Sequence, residues 1–175
     1  MTEIVPKEAE RLLDWPGLLQ AFEAGHRLGK PVIKDMFLHR GPDTILDRAA
    51  WIDGLGALVK VATVHPGNAA RGLPTIHGAV TLFDDLTGEL SAIVDFHLVT
   101  KWKTAGDSLL SATRLARKDA TDFLLIGAGT VAKSMVEAYS AAFPNARFTV
   151  WSRSRASAER MGLPVADDLE AAVRK

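Results

Sequence analysis

A short apolar run, Phe123-Leu124-Leu125-Ile126, passes directly into Gly127-Ala128-Gly129-Thr130-Val131-Ala132 and then into an alanine-rich stretch. The run does not alternate and ends on glycine, as a strand buried on both faces requires. Residues 131–143 follow as a helix that stops near Pro144-Asn145. In the G-x-G-x-x-A order, Gly127 permits a tight turn and Gly129 lets backbone come close to a pyrophosphate. Ala132 lets the helix lie near the strand. Unpaired N–H groups and the positive end of the helix dipole add an anion site at the same place. Residues 148–151 give a second strand and residues 154–161 a second helix, while Asp167-Asp168 are placed to cap a third. This is the opening of a dinucleotide-binding domain, with Gly127, Ala128, Gly129, Thr130 and Val131 as the expected contacts.

The second strand ends in Val150-Trp151-Ser152-Arg153-Ser154-Arg155. NAD sites usually carry Asp or Glu near this point, accepting hydrogen bonds from ribose hydroxyls. No acid occurs between Pro144 and Ala158. Ser152, Arg153 and Ser154 instead offer donors to a 2′-phosphate. The expected cofactor is therefore NADP or NAD, with NADP favoured. The plainer alternative is a solvent-facing loop.

Upstream the pattern changes. Residues 6–28 open as a helix that Pro16-Gly17 should break or restart. Residues 31–64 read as short β elements with irregular joins, among them Met36-Phe37-Leu38 and residues 58–64. His65-Pro66-Gly67-Asn68 and Gly72-Leu73-Pro74 are turn chemistry. Residues 78–83 and 89–94 form two strands joined by the hairpin loop Asp84-Asp85-Leu86-Thr87-Gly88. Residues 104–117 form a helix with Leu109, Ala112, Leu115 and Ala116 on one stripe. The expected fold class is α/β, with a mixed α/β domain over residues 1–103. Residues 104–175 form a linking helix and the first half of a truncated Rossmann-type NAD(P)-binding domain. Two strands are one short of a mononucleotide-binding half, so the chain reads as a fragment or truncated product, or as a small domain completed by a partner chain.

Lysine plus arginine equals aspartate plus glutamate at 21 each. No global field then draws the chain to nucleic acid or an anionic membrane, and neither is an expected partner. The absence of cysteine excludes disulfides, thiolate nucleophiles and cysteine-ligated metals. The N-terminus is too acidic for a signal peptide, and no apolar stretch reaches the roughly 18 residues of a membrane span. A cytoplasmic location is expected.

The chemistry-bearing residues outside the glycine turn are Lys60, His65, Asn68, Arg71, His77 and Lys103. A lysine between Val59 and Val61 must snorkel, pair or serve a site; the competing reading is an edge strand that uses Lys60 against aggregation. Histidines 65 and 77 have no zinc spacing and read as structural, so no metal is expected. Lys103 lies beside the expected helix start, where a cation opposes the dipole unless an anion is near. Asp107 reads as a first-turn acid of that helix.

Several blocks in one order then carry a resemblance. They are Lys60-Val61, Val64-His65-Pro66-Gly67-Asn68, Gly72-Leu73-Pro74-Thr75-Ile76-His77-Gly78, Leu82-Phe83-Asp84, Thr87-Gly88-Glu89, Thr100 with Lys103-Thr104-Ala105, and Ile126-Gly127-Ala128-Gly129. Over about residues 50–155 the chain resembles the ornithine cyclodeaminase/mu-crystallin family. The resemblance implies a substrate and dimerisation domain around a nicotinamide-nucleotide domain, a homodimer, and hydride exchange at the α-carbon of an amino acid or cyclic imino acid. It makes Lys60 the active-site lysine that meets the substrate carboxylate. Lys103 falls where the family has an arginine that contacts carboxylate and nucleotide, next to Thr104. Lysine keeps the charge and loses the planar fork. Lys34, His39 and Arg40 compete for the place of an earlier family arginine, and the family's essential aspartate is expected beyond Lys175. The leading expectation is an NAD(P)-dependent cyclodeaminase-like or imine-reducing enzyme; the alternative is a catalytically silent nucleotide or small-ligand binding protein, or a truncated gene product, of the same family.

Overall fold

A computed structural model describes residues 1–174. The chain divides into two compact units, Met1–Leu13 with Glu23–Thr100, and Asp14–Phe22 with the residues from Lys101 onward.

The first unit is built on a six-stranded sheet: β1 (Glu3–Val5), β2 (Val32–Arg40), β3 (Asp43–Ile52), β4 (Gly56–Val64), β5 (Ile76–Phe83) and β6 (Leu90–Val94). Strand order is β1-β6-β5-β4-β3-β2; β2 to β6 run antiparallel in succession and β1 pairs parallel with β6. The expected irregular joins over residues 31–64 are instead three long paired strands. Asp43, Asp47 and Arg48 interrupt the apolar run of β3 and hide it from a hydrophobicity count. Pairing places opposite charges beside two of them: Arg40 bonds Asp43 at 3.0 Å and Arg48 bonds Asp35.

Side chains alternate across each strand, and one face of this sheet carries the core. Ala62, Val80 and Phe96 are buried there, with Leu46, Leu58, Leu82, Val94 and Val99 packed around them. Val80 is fully enclosed, which at transfer values contributes roughly 1.5–3 kcal/mol. The β5–β6 loop is closed by Asp84, whose Oδ1 accepts from the amides of Leu86 and Thr87 and from the Thr87 hydroxyl.

After a 3-10 turn over Lys7–Leu12, helix α1 (Trp15–Gly25) starts at Pro16-Gly17, the restart expected of that pair. Pro16 occupies the first turn, where no N–H is missed, and Asp14 accepts from the Gly17 amide at 2.7 Å. Helix α2 runs Phe96–Leu115, eight residues earlier at its start than the sequence suggests. Asp95 sets that start by accepting from the Leu98 amide at 2.8 Å. The β-rich composition of Phe96-His97-Leu98-Val99-Thr100, just after a strand, conceals it. Consequently Lys103 lies inside the helix, not beside its first turn, and Asp107 is not a first-turn acid.

In the second unit the buried stripe of α2 is Trp102, Ala105 and Leu109. Leu115, expected on that stripe, is exposed. Trp15 stacks on Trp102 at 4.1 Å, and Gly106 leaves its flank open to Leu18 and Phe22. The chain continues as β7 (Asp122–Ile126), α3 (Thr130–Ala142), β8 (Arg147–Trp151), α4 (Arg155–Glu159) and α5 (Leu169–Val173). β7 and β8 pair in parallel. The sheet has two strands among the described residues, as expected, and beside it Val150 makes one isolated parallel bridge to Val165, with hydrogen bonds to Pro164 and Ala166. Phe123, Tyr139, Phe143 and Phe148 form one aromatic cluster, and the Tyr139 hydroxyl lies 2.8 Å from the Ser108 hydroxyl. Asp168 caps α5 through the Ala171 amide, as its position predicts.

Candidate functional site

The candidate side chains lie around Lys60 in the first unit and, in the second, on α2 at Lys103, at the glycine turn and at the end of β8. In the first, Lys60 sits mid-strand on β4, between β3 and β5. An interior strand needs no protection against edge pairing, so the edge-strand reading of Lys60 falls away. Its ammonium lies 4.8 Å from the centre of the Phe96 ring and 3.3 Å from the Thr100 hydroxyl. The ring face attracts the cation and removes water from one side of it. Directly opposite Lys60 on β3 stands Arg48, and directly opposite Arg48 on β2 stands Asp35. Arg48 donates from Nε to Asp35 Oδ1 at 2.6 Å and from Nη2 to Oδ2 at 2.5 Å. These hydrogen bonds hold the Asp35 carboxyl below its usual range and raise the Arg48 guanidinium. The sequence reading passed over Arg48, because only the register of β2, β3 and β4 brings it to Lys60.

Lys34 and Arg40 lie on the other face of the sheet, by the alternation of β2. Lys34 there lines an apolar depression of about 370 Å³ with Val32, Trp51, Val59 and Phe83. His39 contacts the Thr44 hydroxyl at 3.0 Å. The remaining polar residues secure the β4–β5 connection. His65 Nδ1 is 3.3 Å from Asp43, while Asn68 donates to the Pro74 carbonyl at 2.9 Å and His77 Nε2 lies 3.1 Å from that same oxygen. Arg71 ends the 3-10 turn of Pro66–Arg71 and is exposed. Among the described residues no group of three or more His, Asp or Glu is placed to hold a metal ion.

In the second unit Lys103 is ion-paired with Asp107, one turn along α2, and Thr104 is half-buried. The glycine turn caps α3. Gly127 has φ +110° and donates its amide to the Trp151 carbonyl at 2.7 Å, a conformation that demands glycine. Gly129, the N-cap, has φ −88° and ψ −172°, extended backbone open to any residue. A Cβ added to Gly129 would meet nothing within 4 Å. No side chain caps α3 and no acid occupies its first turn, where Thr130 and Val131 stand. A depression of about 360 Å³ opens here, lined by Gly127, Gly129, Thr130, Val131 and Ala132 among others.

A second depression, about 300 Å³, lies at the end of β8 between Trp151, Ser152, Arg153, Arg155 and Asp167. Ser154 is occupied in capping α4 through the Ser157 amide. Arg155 is held by Glu159 and Asp167. Of the donors read from the sequence here, Ser152 and Arg153 remain turned to no other side chain among the described residues. The acid-free segment gains a carboxylate from Asp167, which the Val150–Val165 bridge brings alongside.

Three comparisons bear on this geometry. The model of the ornithine cyclodeaminase/mu-crystallin family matches residues 52–174. Delta(1)-pyrroline-2-carboxylate reductase of Paracoccus denitrificans is 49% identical over 147 residues, covering 83% of this chain and 46% of that protein. An archaeal alanine dehydrogenase dimer with bound NAD has 26% identity and a TM-score of 0.82, covering 98% of this chain and 57% of that one. The Thermococcus litoralis Delta(1)-pyrroline-2-carboxylate reductase in complex with NADH and L-proline gives 0.83 at 21% identity, over 99% and 59% of the two chains. The fold is thus mixed α/β with a Rossmann-type element at β7–α3–β8. The chain spans about half the length of the relatives it matches.

Proposed function

The chain belongs to the ornithine cyclodeaminase/mu-crystallin family, and on that premise we propose that it supplies the carboxylate-binding lysine and the dinucleotide-binding turn of an NAD(P)-dependent oxidoreductase. The substrate we propose is a cyclic imino acid, reduced by hydride transfer at its α-carbon. The observation that carries the reading is the contrast between two glycines. Gly127 is required by its backbone angle, whereas neither backbone nor packing requires glycine at 129. A missing side chain that the fold does not need leaves room for a ligand.

A nicotinamide dinucleotide fits the residues present. Gly127, Ala128, Gly129, Thr130 and Val131 would hold its pyrophosphate against the uncapped start of α3. Ser152, Arg153 and Ser154 would meet the adenosine end, Ser154 only by sharing its hydroxyl with the α4 cap. Asp167 does not oppose a 2′-phosphate there, because Arg155 neutralises it, so NADP is favoured over NAD. When bound in reduced form the dinucleotide supplies the hydride. Lys60 anchors the substrate carboxylate, and Phe96 and Thr100 hold its ammonium in one place. Lys103 and Thr104 complete the proposed contacts, and Lys103 reaches a ligand only by giving up Asp107. The identity to a Delta(1)-pyrroline-2-carboxylate reductase supports the substrate class.

Two further parts of the reading concern assembly and location. A homodimer through the first unit is supported by β2, an edge strand exposed along its length and rich in apolar residues. Among the described residues no helix is long and apolar enough to cross a membrane; we place the protein in the cytoplasm, where the reduced dinucleotide is available.

The test uses Gly129→Ser. Serine is a favoured N-cap and its backbone accepts φ −88°, so thermal stability should hold or rise. Titration with NADPH should nonetheless weaken by about tenfold or more, because the added side chain blocks close backbone approach. Unchanged affinity removes the site. In paired titrations, Arg153→Ala should cost NADPH about tenfold and NADH little; equal losses would remove the phosphate contact.

A further inference from the structure

Arg153, Arg155 and Asp167 all line the depression at the end of β8. Two guanidiniums beside one site would select strongly for a dinucleotide that carries an extra phosphate. They are not equally available. The Arg153 side chain makes no hydrogen bond or ion pair among the described residues. Arg155 donates from Nε to Glu159 Oε1 at 2.9 Å and from Nη1 to Asp167 Oδ1. Glu159 lies one turn along α4 and does not line the depression, so that contact is a pair local to its helix. Asp167 is different. It lies twelve residues from Arg155 in the chain and is brought there by backbone, through the Val150–Val165 bridge and the Ala166 amide, which donates to the Val150 carbonyl at 2.9 Å. Its neighbour Asp168 caps α5, so the cap does not require an acid at 167. The neutralisation runs both ways. Arg155 removes the repulsion that Asp167 would offer a phosphate, and Asp167 removes the attraction that Arg155 would offer.

We propose that Asp167 is a specificity-determining residue for the dinucleotide: by holding Arg155 it withholds a second guanidinium from the 2′-phosphate and limits the preference for NADP that Arg153 creates. This rests on the reading of the β8 end as the adenosine side of the cofactor site. A phosphate monoester carries roughly −1.5 to −2 charges near neutral pH, and Arg153 alone leaves part of that unmatched. NADH has no phosphate there and is indifferent to whether Arg155 is free. The result is a site that takes both dinucleotides, with NADPH ahead by a margin that one carboxylate sets. The two side chains are 62% and 79% exposed, so their pairing adds little to stability and the fold tolerates its removal.

The test is fluorescence titration of the full chain with NADPH and with NADH. Asp167→Asn should tighten NADPH by about fivefold or more, as the freed guanidinium meets the phosphate, and change NADH by less than about twofold. Arg155→Ala should weaken NADPH by about threefold or more, because Asp167 is left unpaired beside the phosphate. The double variant Arg155→Ala/Asp167→Asn loses both charges and should return to within about twofold of wild type. That crossover separates a charge role from a structural one, since damage to the loop would weaken both dinucleotides in every variant. Thermal melts of the variants should match wild type. NADPH affinity that is unchanged in Asp167→Asn, or that moves together with NADH, overturns the role of Asp167. If Arg153→Ala still costs NADPH its advantage in that case, the reading of the cofactor site stands without it. A wild-type chain that binds neither dinucleotide, or an Arg153→Ala chain that keeps full NADPH affinity, overturns both.

Discussion

At Gly78 there is no room for a methyl group. A Cβ there would run into the backbone carbonyl of Val61 and the ring of Phe96, so the ring can come this close to the strands only because residue 78 is glycine. The same ring faces the Lys60 ammonium, which links a packing residue to a binding one. Gly78→Ala should cost about 1–3 kcal/mol by overpacking. It should also weaken carboxylate binding, since the displaced ring no longer fixes Lys60. Chemical denaturation together with a pyrrole-2-carboxylate titration reads both quantities; a variant as stable as wild type would show that the contact is not tight.

The β5–β6 hairpin illustrates the element scale. Its register depends on a loop in which one carboxylate oxygen gathers three donors. The Thr87 amide, then the Thr87 hydroxyl and the Leu86 amide, hold Asp84 below the usual carboxylate range. A carboxylate with a lowered folded-state pKa adds stability above its unfolded-state pKa and loses it as pH falls through the folded value. The stability gap between wild type and Asp84→Ala should therefore be full near neutral pH. It should narrow on acidification below about pH 4, the ordinary carboxylate range. Thermal melts of both proteins at several pH values measure it, and a gap independent of pH would assign the loop's stability to something other than this charge.

For the whole molecule the informative feature is the edge of the sheet. Val32, Ile33, Met36, Phe37 and Leu38 are all exposed on β2, on both of its faces. A long apolar edge strand left open invites pairing with other chains, and contiguous apolar surface of this kind marks an interface. A second copy of the chain is the proposed cover. Light scattering should give about twice the chain mass, and Phe37→Glu, which buries a charge in that contact, should return it to the single-chain value. A wild-type protein that stays at 18.9 kDa across a range of concentrations would refute the dimer.

Residues 122–151 could be read from sequence because each instruction there is local. An apolar strand, a glycine that alone can take φ +110°, and a helix closed before proline are all specified within a few positions. The hairpin at Asp84 and the Asp168 cap are local in the same sense. Lys60 could be singled out, since a charge among valines stands out in any reading. Its surroundings could not. Arg48 reaches it from twelve residues away and Thr100 from forty, and strand register, which decides such meetings, is set by turns and by burial of a whole face. The start of α2 was hidden for a related reason: Phe96 to Thr100 have strand-like composition, and packing of Phe96 against Ala62 and Val80 overrides it. Asp167 likewise comes beside Arg155 only through the backbone bridge of Val150 to Val165. Backbone angles and caps are properties of neighbours in the chain, and the sequence determined them alone; which charges meet depends on register and packing, and only the tertiary structure decided that.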